Sequence, residues 1–280
     1  MKKLIKCLIN IFTKKSISFL GKFNSGRYFT DQISKNILNK KKIVKHKNQE
    51  FSFYVPNRIN YFRADTFSTK EPETLDWIDT FKKNSIFWDI GANVGLYSCY
   101  AAKSAGCKVY AFEPSIFNLE LLSKNIFLNS VSDKIVIIPF PVSERLDFNT
   151  FFMSSTDWGG ALSTFGKNVG HDGNPISNVF KYKTVGMSMD NCVNTLSFEK
   201  PNYIKIDVDG IEHLILKGGT KTLESVESIL VEINDNFKQQ SDDTNKYLTS
   251  AGFNLSEKRY SSLDGGPENL RGHHNQIWIK

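Results

Sequence analysis

The spacing of apolar and polar positions changes character along the chain. Near the start, Leu4, Ile5, Leu8, Ile11 and Phe12 recur at helical spacing, while Lys6, Asn10 and Lys14 fall largely elsewhere, which predicts an amphipathic helix. Phe51, Phe53 and Val55 alternate up to Pro56, the mark of a short strand, and residues 74–81 read as helix. From Ser85 onward, short apolar runs alternate with helical stretches. The runs are Ile86–Ile90, Lys108–Phe112, Ile135–Phe140, Tyr203–Val208 and Ser228–Ile233, with two late strands at about Asn254–Lys258 and Asn275–Lys280. Helices are expected from about Leu96 to Lys103, from Pro114 to about Asn129, after the fourth run to about Leu223, and near Asn245–Ser250. Strands that are apolar almost throughout are covered on both faces. The expected architecture is therefore α/β, a mostly parallel seven-stranded sheet with helices on both sides.

Residues 153–180 break this rhythm. They are rich in Gly, Ser, Asn and Asp, as in Trp158-Gly-Gly160 and His171-Asp-Gly-Asn-Pro175, and read as a loop insertion that forms part of a substrate lid. Residues 1–50 read as a basic, helical N-terminal extension. Residues 51–280 read as the main domain, with its core from about 85 to 280.

Charge sharpens that division. Of the net +7, residues 1–50 carry +11 and the remaining 230 carry −4. A basic arm on a mildly acidic domain suits an anionic membrane surface or nucleic acid, or is simply a solvated segment from a genome rich in Lys and Asn codons. The first apolar stretch is too short to span a bilayer and has no small-residue cleavage site. It suits a helix lying in a membrane interface, or one capping the domain. Cys7, Cys99, Cys107 and Cys192 form no CxxC pair and no zinc spacing, which fits a reducing, cytoplasmic setting with a peripheral place at the inner face of the membrane.

Ligands on parallel sheets bind beyond the carboxyl ends of the strands, so the residues following each strand carry the candidate chemistry. Asp89-Ile-Gly-Ala-Asn-Val-Gly95 is a glycine-punctuated strand-to-helix turn that lets backbone approach a ligand closely. Glu113 ends the next strand, where a carboxylate can accept hydrogen bonds from both hydroxyls of a ribose. The turn reads Gly-x-x-x-Gly, without the Gly-x-Gly-x-x-Gly of pyrophosphate cofactors. A third cluster, Lys205, Asp207, Asp209, Glu212 and His213, follows the fourth strand. It suits acid–base work, helix capping at Asp209 and Glu212, or a divalent ion, although no metal is expected.

Three segments in order, Phe87–Ser98, Val109–Pro114 and Ile204–His213, resemble the FkbM-type methyltransferases, as do Asn129, Met189-Asp190, Gly218-Gly219 and Glu232 by position. The resemblance implies a Rossmann-like class I fold, S-adenosylmethionine as cofactor, and methylation of a hydroxyl on a sugar or natural product. It places Asp89, Gly91, Ala92, Asn93 and Gly95 around the methionine portion, with Asp207 beside them, and Glu113 at the ribose. Ser115, Ile116, and Val142 or Ser143 fall near the adenine. Asp209 departs from the glutamate usual there.

A sugar hydroxyl has a very high pKa, so a base must take its proton. Asp207 is the expected base or orienter, with His213 second and Glu212 and Lys205 in support. His273 and His274 reach the pocket rim or form a solvated turn, and Trp158 offers a face for sugar stacking. The expected function is O-methylation of a sugar in surface-glycan assembly. The alternatives are a lipid, peptide or small natural product as acceptor, or a non-catalytic cofactor-binding partner of a membrane glycan-synthesis complex. A nucleic-acid substrate ranks low because no Asn/Asp-Pro-Pro-aromatic segment is present.

Overall fold

The computed structural model describes residues 2–260 and 272–280. Two helices, α1 (Lys2–Leu20) and α2 (Asn24–Leu38), lead into a hairpin of β1 (Lys41–His46) and β2 (Gln49–Tyr54). Next come α3 (Arg58–Asp65), α4 (Pro72–Asp79), β3 (Ile86–Ile90), α5 (Leu96–Tyr100), β4 (Lys108–Phe112), α6 (Ile116–Leu128) and β5 (Ile135–Ile138). The segment between β5 and the next sheet strand holds β6 (Asp147–Met153), β7 (Ser163–Phe165), β8 (Phe180–Gly186) and α7 (Met189–Leu196). The chain then runs through β9 (Tyr203–Ile206), α8 (Glu212–Lys217), β10 (Ser228–Asn234), α9 (Lys238–Ser250), β11 (Asn254–Tyr260) and β12 (His273–Ile279).

The sheet has the expected seven strands, in the order β11-β12-β10-β9-β3-β4-β5. The five central runs pair in parallel, and β12 pairs antiparallel with both β10 and β11. Strand order reverses between β3 and β9, which opens a crevice at their carboxyl ends.

Period-2 alternation gives each face its own core. Phe87, Ala111, Tyr203 and Leu230 pack one face under α4, α5, α6 and the β1–β2 hairpin; Trp88, Phe112, Ile206 and Val231 pack the other under α7, α8 and α9. Each large side chain removed from water there contributes roughly 1.5–3 kcal/mol. Cys99, Cys107 and Cys192 are buried in these layers.

Three expectations are corrected. The helical leader stops at Leu38, because residues 41–54 pair across a turn at Lys47, a residue with φ of 50°, and bury Phe51 and Phe53. The loop expected over 153–180 contains β7 and bridges β6 to β8 in a three-stranded antiparallel sheet. The helix after β9 ends at Lys217, where the turn Gly218-Gly219 packs against backbone at Ser143 and against Met189.

The leader does not cap the domain. Leu4, Leu8, Phe12, Ile17 and Phe19 on α1 and Phe29 on α2 are all exposed, Phe12 at 72%. Among the described residues, no helix is long and apolar enough to cross a membrane.

Candidate functional site

Backbone geometry builds the first wall of the crevice. Gly91 has φ of +88°, and a Cβ there would lie 1.9 Å from the Asp207 carbonyl oxygen, so only glycine lets the ends of β3 and β9 abut. The Gly91 and Ala92 amides both donate to the Phe112 carbonyl, at 3.0 and 2.9 Å, which ties the turn to β4. Asn93 follows in the left-handed region with φ of 51°, a conformation asparagine tolerates.

Glu113 closes this wall. Its carboxylate accepts from the Asn93 amide at 2.8 Å and from the Ser115 amide at 2.7 Å. Burial pushes its pKa up to about 8, against the pull of these two amides and Asn118. The β3 turn and the end of β4 thus form one hydrogen-bonded unit. The crevice it faces, about 550 Å³, is lined by Gly91, Phe112, Glu113, Phe140, Val142 and Asp207, among others.

A second crevice of about 500 Å³ shares Gly91, Asn93 and Asp207 with the first. Its other walls are Arg63, Phe67, Lys70, Glu71, Ala92, Tyr97 and Lys205. Charge is dense here. Lys205, almost fully buried, donates to Asp207 at 2.6 Å, and Lys70 pairs with Glu71, which also accepts from the Tyr97 hydroxyl at 2.9 Å. Burial alone would lower the Lys205 pKa, but Asp207, Asp89 and Glu71 outweigh it and hold the ammonium charged. Burial would likewise raise Asp207, yet Lys205 holds it below the usual carboxylate range. Asp207 is thus a fixed anion and a weak base.

Glu232 lies on the neighbouring strand, on the same sheet face as Lys205. It is half-buried, and no hydrogen bond to it occurs among the described residues. Burial, followed by Asp207, Asp209 and Glu71, drives its pKa well above the ordinary value.

The insertion forms a strap across the first crevice. The Trp158 carbonyl accepts from Asn57 and Asn60, and the Gly159 carbonyl from Arg63 at 2.8 Å. The Gly160 carbonyl accepts from Asn93 at 2.8 Å and Asn118 at 3.1 Å. The Leu162 amide donates to Asp209 at 2.7 Å. Asp209, whose pKa burial pushes up to about 6, therefore serves as a latch for the strap.

Several sequence candidates fall elsewhere. Asp89 lies beneath the turn, accepting from Ser98 with its second oxygen buried and unpartnered. Gly95 starts α5 and packs on Leu122. Ser115 caps α6, Ile116 is exposed, and the Ser143 hydroxyl turns to the Arg145 carbonyl. Glu212 is a buried cap, accepting from the Gly210 and Val208 amides and from Gln240, and burial pushes its pKa up to about 7. His213 packs edge-on against Phe237, and burial lowers its pKa. Neither Glu212 nor His213 lines either crevice, because α8 turns both inward beneath the loop after β9. Trp158 contributes its carbonyl rather than its ring to the hydrogen bonds recorded there. His274 is bound into β12 through Gly272 and Gln276. Asn129 pairs with Ser52 of β2, and Asp190 holds the Thr222 turn. Arg63, Lys70, Glu71 and Asn118 enter from helices and a loop that carry no local signal of a site.

The residues present fit a cationic amino-acid nucleoside. Glu113 suits its ribose, Val142 and Phe140 its base, and Arg63 and Lys70 a carboxylate beside the anions Asp207 and Glu71. The buried Asn93 Oδ1 and Asp89 Oδ1 are both left without partners at this turn. A strand order of this kind, with a bare-backbone turn and an acid one strand later, is that of a Rossmann-like domain suited to a nucleoside-containing cofactor. The chain belongs to the methyltransferase FkbM domain family, whose model matches residues 89–255.

Similarity to individual proteins agrees. A hexuronic acid methyltransferase, AglP, from Haloferax volcanii is 30% identical over 156 residues, 56% of this chain and 59% of that protein. A tRNA (guanine(37)-N(1))-methyltransferase from Dictyostelium discoideum is 31% identical over 80 residues, covering 29% of this chain and 17% of its own. The chain thus spans less than two thirds of the length of either relative. The crystal structure of an FkbM methyltransferase from Methylobacillus flagellatus KT superposes with a TM-score of 0.50 at 14% identity, over 71% of this chain and 44% of that one. That superposition supports the fold.

Proposed function

We propose that this protein transfers a methyl group from S-adenosylmethionine to a hydroxyl oxygen of a saccharide, in the assembly of a surface glycan. The observation that carries this is the meeting of the two crevices at Asp207, near Glu232, which has no hydrogen-bond partner among the described residues. When bound, the cofactor supplies a methyl carbon already activated by its sulfonium. The chain's own task is to hold an acceptor oxygen in line and to receive its proton.

Glu232 is assigned that proton. Burial and the surrounding carboxylates raise its pKa above the ordinary value, and a positive charge in the crevice would bring it back toward the carboxylate that can act as a base. Asp207, fixed by Lys205, orients. Similarity to a hexuronic acid methyltransferase supports a sugar acceptor. A nucleic-acid acceptor is disfavoured, because the fixed anion Asp207 would repel phosphates at the reaction point.

We infer as well that α1 and α2 rest on an anionic membrane at its cytoplasmic face. Their exposed apolar residues and the +11 of residues 1–50 suit a bilayer interface. Co-sedimentation with vesicles containing phosphatidylglycerol should be strong at low salt and lost when residues 1–39 are removed. Equal sedimentation of the truncated protein would contradict it.

The acceptor is tested by incubating the protein with labelled cofactor and methyl glucopyranoside, methyl glucopyranosiduronate or a short RNA. Label should enter a sugar. Label in the RNA alone would overturn the reading.

A further inference from the structure

Beyond the strap, the insertion makes a second approach to the crevice at His171. Gly170 packs directly on the turn after β9, where a Cβ on Gly210 would lie 2.6 Å from the Gly170 carbonyl oxygen. The Gly170 amide donates to the Asn174 carbonyl at 2.7 Å, and Asp172 accepts from the Asn174 amide at 3.0 Å, so residues 170–174 form a closed turn. Asn234, at the end of β10, donates at 2.9 Å to the His171 carbonyl. The imidazole of His171 therefore stands on a fixed base over the ends of β9 and β10.

Its ring lies against that of His273 on β12, with centroids 4.5 Å apart. The Asn234 amide also contacts Nε2 of His273, at 3.1 Å. Burial and the neighbouring His171 push the pKa of His273 down to about 4, so its ring is neutral at physiological pH. Both ring nitrogens of His171 are shielded from solvent and have no hydrogen-bond partner among the described residues. An imidazole nitrogen hidden from water without a hydrogen bond is costly, and a structural histidine ordinarily avoids this by finding a partner. Gly170, next to His171, touches the turn that carries Asp209, and Asp209 lines the first crevice, so the pair stands beside the end of that crevice.

We propose that His171, backed by His273, is the acceptor-binding subsite, and that its ring nitrogens hold hydroxyl groups of the sugar ring. Imidazole nitrogens can donate or accept hydrogen bonds, which matches a hydroxyl. The carboxylates of Asp207 and Asp209 disfavour an anionic group at this position. The subsite thus takes a neutral stretch of the saccharide and points any charged substituent away. This rests on the saccharide reading above.

The test follows the histidine ring nitrogens by NMR in the full-length protein loaded with S-adenosylhomocysteine, during titration with methyl glucopyranoside and with methyl glucopyranosiduronate. His171 ring signals should move in a saturable way. His171→Phe, which keeps ring volume, should weaken sugar affinity at least about tenfold, and His171→Gln, which restores a donor and an acceptor, should recover part of it. S-adenosylhomocysteine affinity should stay unchanged in both variants. Sugar binding that leaves the His171 signals still, or that His171→Phe retains in full, overturns this subsite and spares the saccharide reading. Binding of neither sugar by the wild type overturns both.

Discussion

The wall that meets the nucleoside and the wall that meets the acceptor are built from different material. The first is one strand–turn–helix unit with the end of the next strand, and its working parts are backbone amides, a glycine and a single carboxylate. The second draws side chains from the loop after α3, from β9, β10 and β12, and from the insertion. Backbone parts are fixed once β3 and β4 pair. Side-chain parts depend on charge balance across elements far apart in sequence. The cofactor wall should therefore respond to steric and proton changes at two residues. The acceptor wall should respond to single side chains without loss of cofactor binding.

The sharpest way to break this contrast is Gly91→Arg. With a Cβ already 1.9 Å from the Asp207 carbonyl, the change should lower S-adenosylhomocysteine affinity at least 100-fold, about 3 kcal/mol, by calorimetry. Retained affinity would show that the turn is not a wall of the site.

Next in size is Glu232→Gln. It should reduce kcat roughly 100-fold while leaving cofactor affinity intact, a loss typical of a missing general base. Asp207→Asn should act differently. It strands the buried Lys205 charge and should lower stability by about 3 kcal/mol in denaturant unfolding. Equal behaviour of the two variants would erase the division of roles.

A third test uses pH. Glu113 is raised in the folded protein from an ordinary 4.5 to about 8. The sign for a raised acid is that its stabilising contribution is complete at low pH and is lost as pH rises through about 8. Ribose hydroxyls donate to the carboxylate form, so cofactor affinity should rise about tenfold per pH unit below that value and level off above it. Calorimetry in buffers of different ionisation enthalpy should show proton release at pH near 7, absent in Glu113→Gln. A flat profile would remove Glu113 from the ribose site.

The smallest expected effect is at the strap. Asn118→Ala removes its bonds to Gly159 and Gly160 and should cost about 1 kcal/mol. Amide exchange across residues 158–163 should quicken, with exchange in β3 and β4 unchanged. Uniform exchange throughout would mean that the strap is not separately held.

How much of this was legible follows from the same contrast. The central strands and the pair Gly91 and Glu113 could be read because each leaves a local mark, an apolar run or a glycine turn followed by an acid. The hairpin strand β1 left none, since its exposed Lys residues on one side resemble a basic leader. Likewise β6 and β8 carry Asn, Thr and Lys on an open face, and the Gly-Ser-Asn stretch between them dominated the pattern. His213 and Glu212 sit in a cluster that looks catalytic in one dimension, yet a short helix turns them inward. Arg63, Lys70 and His171 become site residues only after distant segments fold together, which no spacing rule reveals.

The central claim is that the ends of β3 and β4 hold the nucleoside and that Asp207 marks the junction with the acceptor side. A crystal structure with S-adenosylhomocysteine tests it most directly. The account predicts both ribose hydroxyls on Glu113, the base against Phe140 and Val142, and the amino-acid end reaching past Asp207 toward Arg63 and Lys70. A ligand bound elsewhere, or one running in the opposite direction with its base in the Lys70 crevice, would contradict it.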